Sequence, residues 1–220
     1  MATALKADRR RGEGGPAIYR ALTGHEPADA VIDDDRDFDR HVLASLIAVA
    51  AAEDGAVDQR LGLAPADFSA LIERWFPAQR GRFTAGPGRR GGPEDDEVAM
   101  VRELLLAKRS TAGPDGAWLA AMIARRAVEP NHLWEDLGLR DRAELSRLMV
   151  RHFAPLAARN SRHMRWKRFF YRMLCEDDGF VMCTTPVCTE CGDFELCFGE
   201  ETGESRLARA RRAVALVALS

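Results

Sequence analysis

All five cysteines of this 220-residue chain lie within 23 positions, from Cys175 to Cys197, and the 174 residues before them contain none. A disulfide framework spreads its cysteines so that bridges close useful loops, and it belongs to an oxidising compartment. Here the cysteines are bunched and their number is odd, so metal ligation accounts for them better. The spacing is Cys183-x4-Cys188-x2-Cys191-x5-Cys197, with Cys175 eight positions before Cys183. Four thiolates on short loops can converge on one tetrahedral ion or on a cluster. Pro186, Gly192 and Gly199 suit the sharp turns such a loop requires.

Structural zinc usually takes two close cysteine pairs divided by a longer spacer. All the intervals here are short and unequal, which favours an iron–sulfur site over a zinc ribbon, although spacing alone leaves both open.

Charge is segregated around the cysteines. Between Leu145 and Cys175 there are eight basic residues and no acidic one, whereas Glu176 to Glu204 holds nine acidic residues and no Arg or Lys. A thiolate-bound cluster is anionic, and the preceding basic segment is its natural counter-charge. Arg165, Arg168, Arg172 and Cys175 follow i, i+3, i+7, i+10 and share one helical face, away from the Trp166, Phe169, Phe170 and Met173 stripe. Such a row can bind an oxyanion, or it can be a solvated basic face or one paired with the acidic segment.

The rest of the chain predicts a mostly α-helical fold that carries a C-terminal cysteine-rich metal-binding loop. Residues 1–15 read as a disordered arm, 16–174 as a helical body, 175–204 as the metal-binding segment and 205–220 as a terminal helix. Within the body, periodicity predicts helices over 16–23, 37–54, 65–76, 94–108, 116–128, 141–159 and 163–176. The last is expected to be capped by Asn160 and Ser161 and to begin at His163. The glycine- and arginine-rich stretch 80–92 reads as a flexible loop.

Formal net charge is -2, which gives no overall attraction to nucleic acid or to membranes. No apolar h-region follows the basic N-terminal residues, and the run Val42 to Ala52 covers only eleven positions, short of a span. The expectation is a cytoplasmic protein. No nucleophile elbow, phosphate-binding loop or H-E-x-x-H is found, so the chain does not read as an enzyme. His152, set among Leu148, Met149, Phe153 and Leu156, reads as a packed histidine; His25 and His41 have no convergent partners in the sequence.

The stretch MRWKRFFYRMLCEDDGF from Met164 to Phe180, the four-cysteine spacing and Cys197-Phe198-Gly199 together resemble the NifQ family. So do Asn131 to Leu139, NHLWEDLGL, and Arg142-Ala143-Glu144-Leu145. The resemblance runs from about Pro130 to Glu201 and fades before it.

The resemblance implies a molybdenum carrier of nitrogen fixation. Such a protein binds a molybdenum–iron–sulfur cluster and delivers molybdenum to cofactor-assembly proteins, the NifE–NifN scaffold and NifH. It implies Cys183, Cys188, Cys191 and Cys197 as the metal-binding signature. A molybdenum corner accepts thiolate, imidazole or oxygen, which makes Cys175, His132 and His163 candidate further ligands, with His132 also fitting a helix cap. The alternatives are a zinc-stabilised helical interaction module and an iron–sulfur electron-transfer protein.

Overall fold

Short acidic side chains start several of the helices. Asp34 Oδ1 accepts the Asp37 N–H at 2.7 Å, Asp95 Oδ1 accepts that of Glu97 at 2.9 Å, and Asp141 Oδ1 accepts that of Glu144 at 3.0 Å. Each satisfies an amide that the first turn cannot pair internally.

The computed structural model describes residues 14–83 and 95–177, the last three by backbone alone. In chain order the helices are α1 (Gly15–Thr23), α2 (Asp35–Ala52), α3 (Val57–Arg60), α4 (Pro65–Trp75), α5 (Asp96–Ala107), α6 (Asp115–Ala127), α7 (Leu133–Asp136), α8 (Arg142–His152), α9 (Ala154–Arg159) and α10 (Trp166–Asp177). No strand occurs among the described residues, in line with the mostly α expectation. None of the described helices is long and apolar enough to cross a membrane. Of the arm read over 1–15, residues 1–13 lie outside the described residues and Gly15 already belongs to α1; residues 84–92 of the glycine-rich stretch and the terminal helix expected over 205–220 also lie outside them.

The chain forms two compact units that divide between Arg159 and Asn160. In the first, α2 is the central helix. Phe38, Val42, Ile47 and Ala50 are wholly buried, and α1 lies along it. A helix buried on nearly every side needs no polar face over its middle turns, which is why Leu43 to Ala50 carries no charge. Gly138, at φ +72°, brings the turn after α7 against α2; a Cβ there would stand 2.5 Å from Val49 Cγ2 and 2.9 Å from the Ser45 carbonyl. Only glycine fits both the backbone angle and the gap.

Two sequence expectations are corrected. The single helix predicted over 141–159 is two, α8 and α9, which meet at Phe153 with φ −138° and ψ 44°. Pro155 has no N–H to give and its ring would clash with the Arg151 carbonyl, so the helix breaks there. The apolar stripe nonetheless stays buried from Leu145 through Leu156.

In the second unit, the helix expected to begin at His163 begins at Trp166. Asn160 and Ser161 do not form its cap. Asn160 clasps a turn: its Oδ1 accepts the Met164 N–H at 2.8 Å and its Nδ2 donates to the Met164 carbonyl at 2.9 Å. His163 closes that turn at φ 55°, a left-handed angle no helix can include. Arg165 then provides the first helical carbonyl, accepting from Phe169 N–H at 2.9 Å.

Candidate metal centre

Cys183, Cys188, Cys191 and Cys197 lie outside the described residues. The described residues hold what leads up to them, and they show where each other candidate stands. Cys175 belongs by backbone to the last turn of α10. His163 is exposed, in the turn before that helix. His132 is buried in the first unit at the N-cap of α7, where its backbone N–H donates to Glu135 Oε2 at 3.1 Å. Its position is therefore that of the helix cap the sequence allowed for. Among the described residues no group of three or more His, Cys, Asp or Glu side chains is arranged to hold a metal ion.

The second unit owes its local order to aromatics. Trp166 meets Phe169 edge-on at 5.7 Å between ring centres, and Phe170 at 6.0 Å. Trp166, Phe169, Phe170 and Met173 are all buried, as their spacing predicts. Arg165, Arg168 and Arg172 occupy the other side and are each half-buried, so this row is not a fully solvated face. The Nε of Arg168 is buried and has no hydrogen-bond partner.

Sequence reading missed the most strongly organised polar cluster, which lies in the first unit. His41, read as having no convergent partner, has two. A carboxylate only accepts, so its Nε2–H donates to Glu144 Oε2 at 3.1 Å, while its Nδ1 faces the Tyr19 hydroxyl at 2.7 Å. Burial raises the Tyr19 pKa, so that hydroxyl keeps its proton and donates it.

His152 repeats the arrangement with the helices exchanged. It donates through Nε2 to Asp39 Oδ1 at 2.9 Å, with Thr111 Oγ1 at 2.9 Å from Nδ1. Thus α2 gives Asp39 and His41, and α8 gives the complementary His152 and Glu144. Arginines complete both: Arg151 grips the two oxygens of Asp39 at 2.7 and 2.8 Å, and Arg140 binds Glu144 by side chain and by backbone N–H.

Burial opposes the charge of Glu144, but the hydrogen bonds from His41 and Arg140 outweigh it and hold the carboxyl down at about 2. Asp39 is likewise lowered against burial, by His152 and Arg151. No buried polar side-chain atom of the cluster lacks a partner, which is the condition for a buried polar network to stabilise a core. No residue on it is left to bind a ligand, so it is a scaffold joining α1, α2 and α8. The signal available was Asp39-x-His41 set just before the apolar run of α2 that starts at Val42, opposite Glu144 and His152 two turns apart.

The first unit also has an open cleft of about 1000 Å³, lined by both signs of charge, including Asp54, Arg60, Arg125 and Glu129. Arg60 and Arg125 are ion-paired there, to Glu53 at 3.8 Å and Glu129 at 2.8 Å. None of the candidate metal ligands lines it.

A family model described as NifQ matches residues 42–199, a span that takes in the first unit from the eighth residue of α2 onward, α10 and all five cysteines. The chain is 40% identical over 177 residues to the Protein NifQ homolog of Sinorhizobium fredii, covering 79% of this chain and 77% of that one. It is 42% identical over 161 residues to Protein NifQ of Rhodobacter capsulatus, covering 73% and 87%. To Protein NifQ of Azotobacter vinelandii it is 38% identical over 152 residues, covering 64% and 78%. No solved structure matches.

Proposed function

The chain belongs to the NifQ family, which is linked to nitrogen fixation, and on that premise we propose that it is a molybdenum carrier for cofactor assembly. Its cargo is a molybdenum–iron–sulfur cluster bound by Cys183, Cys188, Cys191 and Cys197, and it acts without catalysing a reaction of its own. The observation that carries the reading is the thiolate spacing, which falls inside the matched span and ends two residues before its limit at Gly199. Soft thiolates suit iron and molybdenum alike, and four on short loops leave room for exchange with an incoming partner's ligands.

The recipients are assembly proteins of the nitrogenase cofactor, the NifE–NifN scaffold and NifH. Nine acidic residues between Glu176 and Glu204 give the cysteine segment a negative surround, which favours a recipient with a basic docking face. The place of work is the cytoplasm, where thiols stay reduced and available to metal.

The test is to replace each of the four cysteines by Ala and measure iron and sulfide after anaerobic reconstitution of the full chain. Each single variant is expected to lose most of its iron. Full iron retention in any two of them would end the four-ligand assignment.

A further inference from the structure

The connection between α1 and α2 carries an extended stretch that the fold holds by one edge only. It leaves a tight turn, Pro27–Asp29, through Ala30 at φ −65°, ψ 120°, and enters α2 through Asp34 at φ −96°, ψ 168°. Two arginines hold its carbonyls. Arg140 Nη1 donates to those of Ala28 and Ala30 at 3.5 and 3.4 Å, and Arg147 donates to those of Ile32 at 2.6 Å and Asp34 at 3.3 Å. Over 30–34 these are alternate carbonyls, the pattern of a strand bonded along one side.

In extended backbone a residue turns its N–H and C=O to one edge, and its neighbours turn theirs to the other. The peptide groups of Val31 and Asp33 therefore face away from the arginines, and among the described residues no hydrogen bond engages them. Exposure follows the same period: Ala30 and Ile32 are half-buried, whereas Val31 and Asp33 are exposed. Val31, at 66%, is the most exposed large apolar side chain among the described residues. Unpaired backbone groups beside an exposed apolar side chain are where an extended chain adds as a further strand.

Charge selects the occupant. Residues 26–35 include five acidic side chains and no basic one. Glu26 is paired with Arg20, Asp35 with Arg151, and Asp34 caps α2. Asp29 and Asp33 are exposed and form no ion pair among the described residues. Asp33, two positions after Val31, presents its carboxylate on the same face. A second copy of this chain suits the edge poorly, because pairing about Val31 would bring the acidic residues of both copies face to face, and like charges set opposite destabilise a strand pair.

We propose that residues 31–33 are a docking edge for an extended segment of a partner protein, one that sets an apolar side chain against Val31 and a basic one against Asp33. The edge lies in the first unit and requires no metal, so it stands apart from the cluster reading.

The probe is the peptide acetyl-Lys-Thr-Val-Thr-Lys-amide, whose Lys, Val and Lys share one face, titrated into the isotope-labelled full chain and followed by amide NMR. The amides of Val31 and Asp33 should shift and gain protection from hydrogen exchange, while those of Ala30 and Ile32 gain none. That pattern tests the edge without any substitution. Asp33→Lys should weaken binding roughly fivefold or more, since it turns a cross-strand attraction into a repulsion. The same peptide with Glu for both Lys should bind Asp33→Lys more tightly than it binds wild type. Val31→Pro removes one N–H from the edge and suits the extended Ala30 before it, so binding should be lost with the far-ultraviolet circular dichroism unchanged.

Protection of all four amides alike, or of none, would overturn the proposal. So would undiminished binding by Val31→Pro, or a Glu peptide that binds wild type as tightly as the Lys peptide does. Self-association of the full chain in sedimentation, lost in Val31→Pro, would give the edge to a second copy and refute the basic partner.

Discussion

In the unit that ends at Arg159, Arg126 is 3% exposed and grips both oxygens of Glu53, whereas on α10 Arg168 keeps a buried Nε with no acceptor. The first unit neutralises Asp39, Glu144 and Arg126 with partners brought from distant parts of the chain. The Asp39–His152 and His41–Glu144 pairs span 113 and 103 residues, so they form only when the fold does. In α10 the basic residues run together without acid between them, and the carboxylates come later in sequence as a block. A charge matched inside the fold supports the fold. A charge left unmatched inside it is free to meet something else.

This contrast can be broken by making the same substitution in both places. Arg126→Gln leaves Glu53 half-buried and removes a donor from the Asp136 carbonyl, and it should destabilise the chain by about 3–5 kcal/mol, the cost of breaking a buried pair. Urea denaturation of the full chain measures it. A loss below about 1 kcal/mol would show that the buried pairs of the first unit do not carry its stability.

The acid limb of stability sharpens the same point. Glu144 titrates at about 2 in the folded chain against an ordinary 4.5. Its contribution is therefore complete above about 4.5 and is lost as pH falls through 2, and it is on the order of 3 kcal/mol. Asp39, also lowered, acts in the same direction. Glu144→Gln should be less stable than wild type at pH 6, with the gap narrowing by pH 3. A gap independent of pH would mean that packing, not charge, accounts for the loss.

Gly138→Ala should cost about 2–3 kcal/mol, because its φ of +72° and the nearness of the Ser45 carbonyl both oppose a Cβ. Its effect is on the first unit alone, and iron content per folded chain should not change. The smallest effect belongs to Arg168→Gln, expected within about 0.5 kcal/mol of wild type, since no folded partner is lost. A cost as large as that of Arg126→Gln would place Arg168 with the structural arginines.

Much of this was legible in the sequence for a physical reason: burial periodicity survives local irregularity. The stripe from Leu145 to Leu156 predicted the buried residues correctly although the helix breaks at Phe153, because α9 resumes in a register that keeps Leu156 inside. The same tolerance hid the break, although Pro155 marked it. The start of α10 was misjudged because Asn160 looks like an N-cap in sequence, while its side chain clasps Met164 around a turn that only the left-handed His163 permits. The histidine pairs were out of reach, since sequence spacing says nothing about contacts a hundred residues apart. The cysteine spacing needed no structure to be read.

The central claim is that the cysteine segment holds iron and molybdenum, and metal analysis of the full chain purified without oxygen tests it most directly. The account predicts brown protein with iron and acid-labile sulfide, and molybdenum that rises when molybdate is supplied during expression. Colourless protein with stoichiometric zinc and no sulfide would contradict it. Iron and sulfide with no molybdenum under any supply would leave an iron–sulfur protein and contradict the carrier role.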